Sequence, residues 1–410
     1  MRKAYGSIGN YSFANILKRF LRTALFDTIT KLKKVLTIFG TRPEAIKLAP
    51  VIDELKKYSD IESRICVTAQ HRHMLDQVLS LFGIKPHIDL DIMQDNQGLA
   101  ELTGRILHRV DEVLDREKPD VVLIQGDTTT VMAAAIASYY RKIRVGHVEA
   151  GLRSGNLYSP FPEEMNRRMA SLSSAFHFAP TQTAVQTLLK EGVDKNSIFL
   201  TGNTVIDALQ MITSKPIPDE AKKLLWVAGL KGENKELKLI LVTAHRRENF
   251  GHRFEDICRA LKTLVDRNKD IVIIYPVHMN PHVQEPVLRI LNNKERIILT
   301  DPVKYDVLAH LMKAAHIVLT DSGGIQEEAP SLGKPVLVMR TETERPEGVE
   351  AGTAKLVGPF ADNIVAETEK LLNNSIAYEN MARAVNPYGD GTAAKRIVGI
   401  LNTKFESGEL

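Results

Sequence analysis

The stretch His316-Ile-Val-Leu-Thr-Asp-Ser-Gly-Gly-Ile-Gln-Glu-Glu328 decides the fold. It begins as an apolar, β-branched run of strand length, passes through Asp321-Ser322-Gly323-Gly324, and continues in residues suited to a helix. A strand that turns through two glycines into a helix is part of a parallel α/β unit, and it also makes a phosphate seat. Glycine lets an anion approach the backbone closely, while the free N–H groups and positive dipole end of the helix favour negative charge. Glu327 and Glu328 follow on that helix, where a carboxylate can accept hydrogen bonds from sugar hydroxyls. The stretch points to a phosphorylated, hydroxyl-rich ligand, with ordinary turn and helix-start chemistry as the competing explanation.

The rest of the chain repeats the strand-then-helix rhythm. Short β-branched runs at Val35–Phe39, Ile65–Thr68, Val121–Gln125, Val145–Val148, Phe176–Phe178 and Ile198–Thr201 form one set. Leu239–Thr243, Ile271–Tyr275, Ile297–Thr300, Ile317–Thr320 and Pro335–Met339 form a second. This alternation predicts parallel sheets covered on both faces by helices, hence an α/β chain of two doubly wound domains. A polar, lysine-rich stretch from Ser214 to Lys235 separates the sets and reads as a connection plus a helix, so the boundary falls near Asn203 to Ser214. The predicted domains are residues 34–205 and 206–388. Two such domains place a ligand in the cleft between them, outside the carboxyl ends of the strands.

Composition narrows the function. The chain has 410 residues, 44% hydrophobic and 25% charged, with a formal charge of +4. That is ordinary globular composition at a length for two domains, and it makes no case for a nucleic-acid protein. Cys66 and Cys258 form no disulfide framework, fit a reducing cytosol and read as buried small hydrophobes. Residues 1–33 differ, with Arg2, Lys3, Lys18, Arg19, Arg22, Lys31 and Lys33 against the single acid Asp27. Ala14 to Leu32 has near-helical apolar spacing, as a basic helix lying on a surface would; the preferred reading is a peripheral basic extension. Its apolar runs are too short to span a membrane and show no signal-peptide pattern, so no stable membrane insertion is expected.

Polar clusters follow five of the runs: Gly40-Thr-Arg-Pro-Glu44, Gly126-Asp-Thr-Thr-Thr130, Glu149-Ala-Gly-Leu-Arg153, His245-Arg-Arg-Glu-Asn249 and Asp321-Ser-Gly-Gly324. Caps explain one or two of them; five at matching strand ends predict one site between the domains. Arg42, Lys47 and Arg345 are the positive groups available to a pyrophosphate. Asp127, Glu149 and Glu163 are the acidic candidates. Asp127 has an N-cap as its alternative, and Glu163 and Glu164 have helix-start preference. An unpaired Glu149 directly after a buried strand would be costly without a partner or a function. His245 can contact phosphate or move a proton. A metal site is disfavoured: no His-Glu-x-x-His occurs, and Asp89-Leu-Asp91 reads as a surface segment.

Taken together, these segments resemble the non-hydrolysing UDP-N-acetylglucosamine 2-epimerases from Lys34 to about Ile400. The resemblance rests on Phe39-Gly-Thr-Arg-Pro-Glu-Ala-Ile-Lys47, Thr68-Ala-Gln-His-Arg72, Gly126-Asp-Thr-Thr-Thr130, Gly146-His-Val-Glu-Ala-Gly-Leu-Arg153 and Pro162-Glu-Glu-Met-Asn-Arg167. It continues through Thr201-Gly-Asn-Thr-Val-Ile-Asp-Ala208, Thr243-Ala-His-Arg-Arg-Glu-Asn249, the Asp321 stretch to Pro330, and Asn386-Pro-Tyr-Gly-Asp-Gly391. It implies two Rossmann-like domains of the GT-B type, a C-terminal helix near Thr392 to Thr403 packing back on the first domain, and a cytoplasmic homodimer without nicotinamide or metal. It also implies interconversion of UDP-N-acetylglucosamine and UDP-N-acetylmannosamine for surface polysaccharides, by elimination of UDP to 2-acetamidoglucal and re-addition.

Matched by motif, Asp127, Glu149, Glu163 and His245 are the catalytic set. Arg42, Lys47, Leu308, Ser322, Gly323, Gly324, Glu328 and Arg345 bind the nucleotide, with Glu328 on the ribose and the glycine turn on the phosphates. Gln70 and Arg72 match a loop through which the bacterial enzymes are activated by their own substrate. Two positions depart from the family pattern: Leu308 where an aromatic is usual, and His73 in place of Gln or Glu in that loop. The rivals are a hydrolysing epimerase, a GT-B-type glycosyltransferase and a binding protein without turnover; three carboxylates beside a diphosphate site speak against the last.

Overall fold

Two sheets, each parallel throughout, organise residues 32–69, 72–93, 97–230 and 237–410, which this computed structural model describes. Residues 1–31 of the basic extension and Gln70 lie outside the described residues, and Lys33, at the end of the extension, is already the first residue of a strand. Arg72 opens the helix Arg72–Phe82, and nothing is described of its side chain or of that of His73.

The first sheet contains β1 (Lys33–Phe39), β2 (Ile61–Val67), β3 (Ile88–Asp89), β4 (Val121–Gln125), β5 (Arg144–Val148), β6 (Phe176–Ala179) and β7 (Ile198–Leu200). They lie in the order β3-β2-β1-β4-β5-β6-β7. The second contains β8 (Lys238–Thr243), β9 (Ile271–Pro276), β10 (Ile297–Thr300), β11 (Ile317–Thr320), β12 (Val336–Val338) and β13 (Ala354–Leu356), in the order β10-β9-β8-β11-β12-β13. The apolar runs become strands because both faces need cover: every residue of β4 and of β11 is buried. Two strands escaped the sequence reading, β3 and β13. Both are short edge strands, and Asp89 is exposed as a surface segment should be.

Strand order reverses between β1 and β4 in the first sheet, where Val35 pairs with Val121, and between β8 and β11 in the second, where Ile317 pairs with Ile240. These switch points open the crevices in which such sheets bind ligands. The Gly40 and Gly126 clusters leave the first pair of strands, and the His245 and Asp321 clusters leave the second. The connecting stretch holds the helix Asp219–Val227. The C-terminal helix Ala393–Glu406 packs Ile397, Val398, Leu401 and Phe405 into the core of the first sheet, beside Leu48 and Ile52 of the helix Arg42–Leu55. No helix among the described residues is long and apolar enough to cross a membrane.

Candidate active site

The clusters converge on two adjoining cavities. One, of about 470 Å³, is lined by Asp127, Glu149, Glu163 and Arg167 of the first sheet's side and by Arg246 and Glu344 opposite. The other, of about 520 Å³, is lined by Arg42, His245, Tyr305, Leu308, Ser322, Gly324 and Glu328. Pro43, Lys47 and Arg345 border both, so two cations stand where the cavities meet.

Glu149 emerges from β5 in a left-handed conformation, φ 65°, which turns its carboxylate into the first cavity. Such backbone is costly for a residue other than glycine and persists where surrounding bonds fix it. Those bonds are numerous. Lys47 Nζ donates to Oε1 at 2.5 Å and to Oε2 at 2.6 Å, Gln125 Nε2 donates to Oε2, and Asn203 Nδ2 donates to Oε1 at 3.1 Å. Burial alone would push Glu149 up; Lys47, Arg345 and Asn203 outweigh it and hold the carboxyl below its ordinary range. Burial likewise opposes the Lys47 charge, but Glu149 and Glu327 keep that amine above its usual value.

Asp127 is not the N-cap of its helix. Thr128 fills that position, its Oγ accepting from Val131 N at 3.3 Å, because Asp127 turns to the guanidinium of Arg167. Burial pushes Asp127 upward against the pull of Arg167. Glu163 opens the helix Glu163–Ser173 and faces the cavity, whereas Glu164 beside it is buried, accepting from Ser154 N at 2.9 Å and from Arg168. Glu164 is therefore spent on fastening the Ser154 loop and on Arg168 of its own helix, and Glu163 is left to the cavity.

In the second cavity, the buried Asp321 accepts from His245 N at 2.9 Å and Arg246 N at 2.8 Å, which fastens the His245 loop to the glycine turn. The His245 ring stacks on His278 with centroids 5.3 Å apart, and burial holds its pKa below the ordinary value despite Asp321. Ser322 and Gly324 border the space. Gly323 is buried instead; a Cβ there would stand 2.7 Å from Glu344 Oε1, the end of a side chain that Arg246 and Arg340 hold. Burial raises Glu328 to about 7, and Tyr305 donates to its Oε2 at 2.9 Å. Leu308 lines the cavity with Pro302 and Val303.

Glu327 departs from the sequence reading, in which it offered itself to sugar hydroxyls. Its carboxylate is taken by Arg345 Nε and by Asn203 Nδ2, the latter at 2.8 Å. Sequence reasoning also missed Gln125, Asn203, Arg167 and Glu44. Glu44 completes a capping box with Thr41, accepts from Gly40 N at 3.1 Å and from Thr128 Oγ at 2.8 Å, and is raised to about 7 by burial. Its signal was present, since a buried acid at the third helical position beside a strand-end threonine is a capping box, and Asn203 likewise sits at an N-cap.

A profile of the UDP-N-acetylglucosamine 2-epimerase family matches residues 53–402. The UDP-N-acetylglucosamine 2-epimerase of Escherichia coli K12 is 54% identical over 368 residues, covering 90% of this chain and 98% of its own length. That of Yersinia pestis is 55% identical over 370 residues, with the same coverage. Among solved structures, the Neisseria meningitidis UDP-GlcNAc 2-epimerase bound to UDP-GlcNAc is similar with a TM-score of 0.80 and 50% identity, over 90% of this chain and 100% of that one.

Proposed function

The chain belongs to the UDP-N-acetylglucosamine 2-epimerase family of isomerases, and from that premise we propose that it reversibly interconverts UDP-N-acetylglucosamine and UDP-N-acetylmannosamine. The observation that carries this reading is the pair Lys47 and Arg345 at the junction of an acid-lined cavity and a cavity ending in a serine–glycine turn. A pyrophosphate held at that junction directs its sugar toward Asp127, Glu149 and Glu163, and its nucleoside toward Leu308, Ser322, Gly324 and Glu328. Arg42 adds a charge on the phosphate side, and His245, the fourth member of the catalytic set, brings a ring that can contact phosphate or move a proton.

Carbon 2 of the sugar has no adjacent carbonyl to acidify its proton. The route is therefore elimination: a carboxylate takes the proton from carbon 2, its electrons form the double bond to carbon 1, and the bond to UDP breaks with its electrons on the departing oxygen. The glycal, 2-acetamidoglucal, then accepts a proton at carbon 2 from the opposite face, and UDP re-forms its bond at carbon 1. Acid and base groups on both faces and a tether for UDP are what this route needs. Asp127, Glu149 and Glu163 supply the former, and Lys47, Arg345 and the glycine turn the latter. No cofactor enters.

We draw the domain limits at residues 34–205 and 206–388, with 1–33 as an extension. We infer a cytoplasmic homodimer whose product feeds surface polysaccharides. Free, buried Cys66 and Cys258 support the compartment. Tyr139, Tyr140 and Leu172, exposed by 64%, 70% and 83% at the ends of two helices, support the dimer as an apolar face.

Proton NMR of the protein with UDP-N-acetylglucosamine in deuterated water tests the reaction. UDP-N-acetylmannosamine carrying deuterium at carbon 2 is expected. Free N-acetylmannosamine with UDP would make it hydrolytic, and an unchanged spectrum would remove both readings.

A further inference from the structure

Five groups form a chain across the cleft: Lys47, Glu149, Asn203, Glu327 and Arg345. Each cation that borders both cavities is already committed to a carboxylate. A diphosphate arriving at their junction must share them, and to the extent that Lys47 and Arg345 turn to it, Glu149 and Glu327 lose their countercharges. Two carboxylates, one from each lobe, are then left side by side in a buried setting where repulsion is weakly screened. The donor common to both is the Asn203 amide.

Asn203 is built to stay in place. Its Oδ1 accepts from Val205 N at 3.1 Å as the N-cap of the helix Thr204–Thr213, so its Nδ2 faces the two acceptor-only carboxylates. Its own N–H donates to Tyr388 O at 2.7 Å. Its side chain is buried, and its fixed amide costs no reorganisation when the cations move.

We propose that Asn203 is a positioning residue that keeps the Glu149 and Glu327 carboxylates in register across the cleft while Lys47 and Arg345 turn to the diphosphate. This rests on the nucleotide-sugar reading above. A consequence is proton uptake on binding, since added negative charge beside Glu149 favours its protonated form. The groups facing Glu149 are Lys47 from the helix Arg42–Leu55, Gln125 and Asp127 from β4 and its loop, His147 on β5, Asn203, and Arg345 and Glu327 from the second lobe.

Asn203→Ser and Asn203→Asp separate the bridge from the cap, because both residues still accept the Val205 N–H. Serine removes the amide donors without adding charge; aspartate removes them and adds a third anion. Loss of hydrogen bonds to a charged group is expected to lower kcat about tenfold in Asn203→Ser and further in Asn203→Asp. KM and the affinity for UDP should stay within about twofold in Asn203→Ser. The acidic limb of the kcat/KM profile, and the pH of half-maximal proton uptake on UDP binding, should move upward in both variants. Calorimetry in buffers of different ionisation enthalpy reads that uptake. Parental kcat with unmoved limbs overturns the proposal, as does an equal fall in kcat and UDP affinity, which marks a merely structural residue. A parent that binds UDP without epimerising overturns the functional reading and leaves proton uptake to decide on Asn203; a parent that does not bind UDP overturns both.

Discussion

The two cavities are built from opposite materials. The first sheet's side contributes acids, two with charges committed in advance, Glu149 to Lys47 and Asp127 to Arg167, and Glu163 facing the open space. The second contributes a glycine turn, a neutral-leaning Glu328 and an apolar wall of Pro302, Val303 and Leu308. Poised carboxylates suit proton transfer, whereas backbone N–H groups and apolar contacts suit holding a ligand that does not change. On the proposed reading, the difference gives the first lobe the carboxylates of the reaction and the second lobe most of the grip, with His245 as the second lobe's member of the catalytic set and Lys47 and Arg345 as the shared border.

The sharpest way to break this comparison is Glu149→Gln. It removes an acid/base group while leaving Lys47 free for phosphate, so kcat should fall about a thousandfold with UDP affinity equal or tighter. Lost UDP binding with retained turnover would invert the division of labour. Glu328 gives the next effect, on stability. Its folded pKa, about 7, lies above the ordinary 4.5, so the folded state binds the proton more tightly and stability declines as pH rises between those values. Glu328→Gln has no such group. Its stability relative to the parent should improve from about pH 4 to about pH 8 by up to roughly 3 kcal/mol, measured by denaturant titration at each pH.

A smaller effect sharpens the grip side. Gly323→Ala drives a methyl against Glu344, which Arg246 and Arg340 hold in place, and should raise KM for the nucleotide-sugar about tenfold with kcat little changed. Smallest is Leu308→Phe, whose ring widens the apolar wall and should lower the Kd of UDP about threefold in calorimetry. A change in kcat from either substitution would mean that the glycine turn or the apolar wall takes part in the chemistry.

Legibility in the sequence followed the physics of each element. Runs such as Val121–Gln125 declared themselves, since a strand covered on both faces must be continuously apolar. Ile88–Asp89 and Ala354–Leu356 did not, because short edge strands need little cover and alternate in polarity. Among site residues, Asp127, Glu149, His245 and Ser322 stood out by following strand ends, where polar side chains have few structural reasons to be. Gln125 and Asn203 look like ordinary strand-end and capping residues. Their role arises only when β5 brings Glu149 beside them, and no local pattern encodes that meeting. Glu327 was visible as an acid at the site, but its bond to Arg345 reaches across β12, and such a tertiary pairing has no local signature.

The helix Ala393–Glu406 returns the chain to the lobe in which it started, so the polypeptide crosses between lobes twice. The crossings abut: a Cβ on Gly202 would lie 3.3 Å from Gly389 Cα, and Gly202 takes φ +89° to allow the approach. A lobe tethered by one strand can swivel about it. Two chain segments pressed together at the back restrain the lobes about one line, which keeps Lys47 and Arg345 facing each other where the two cavities meet.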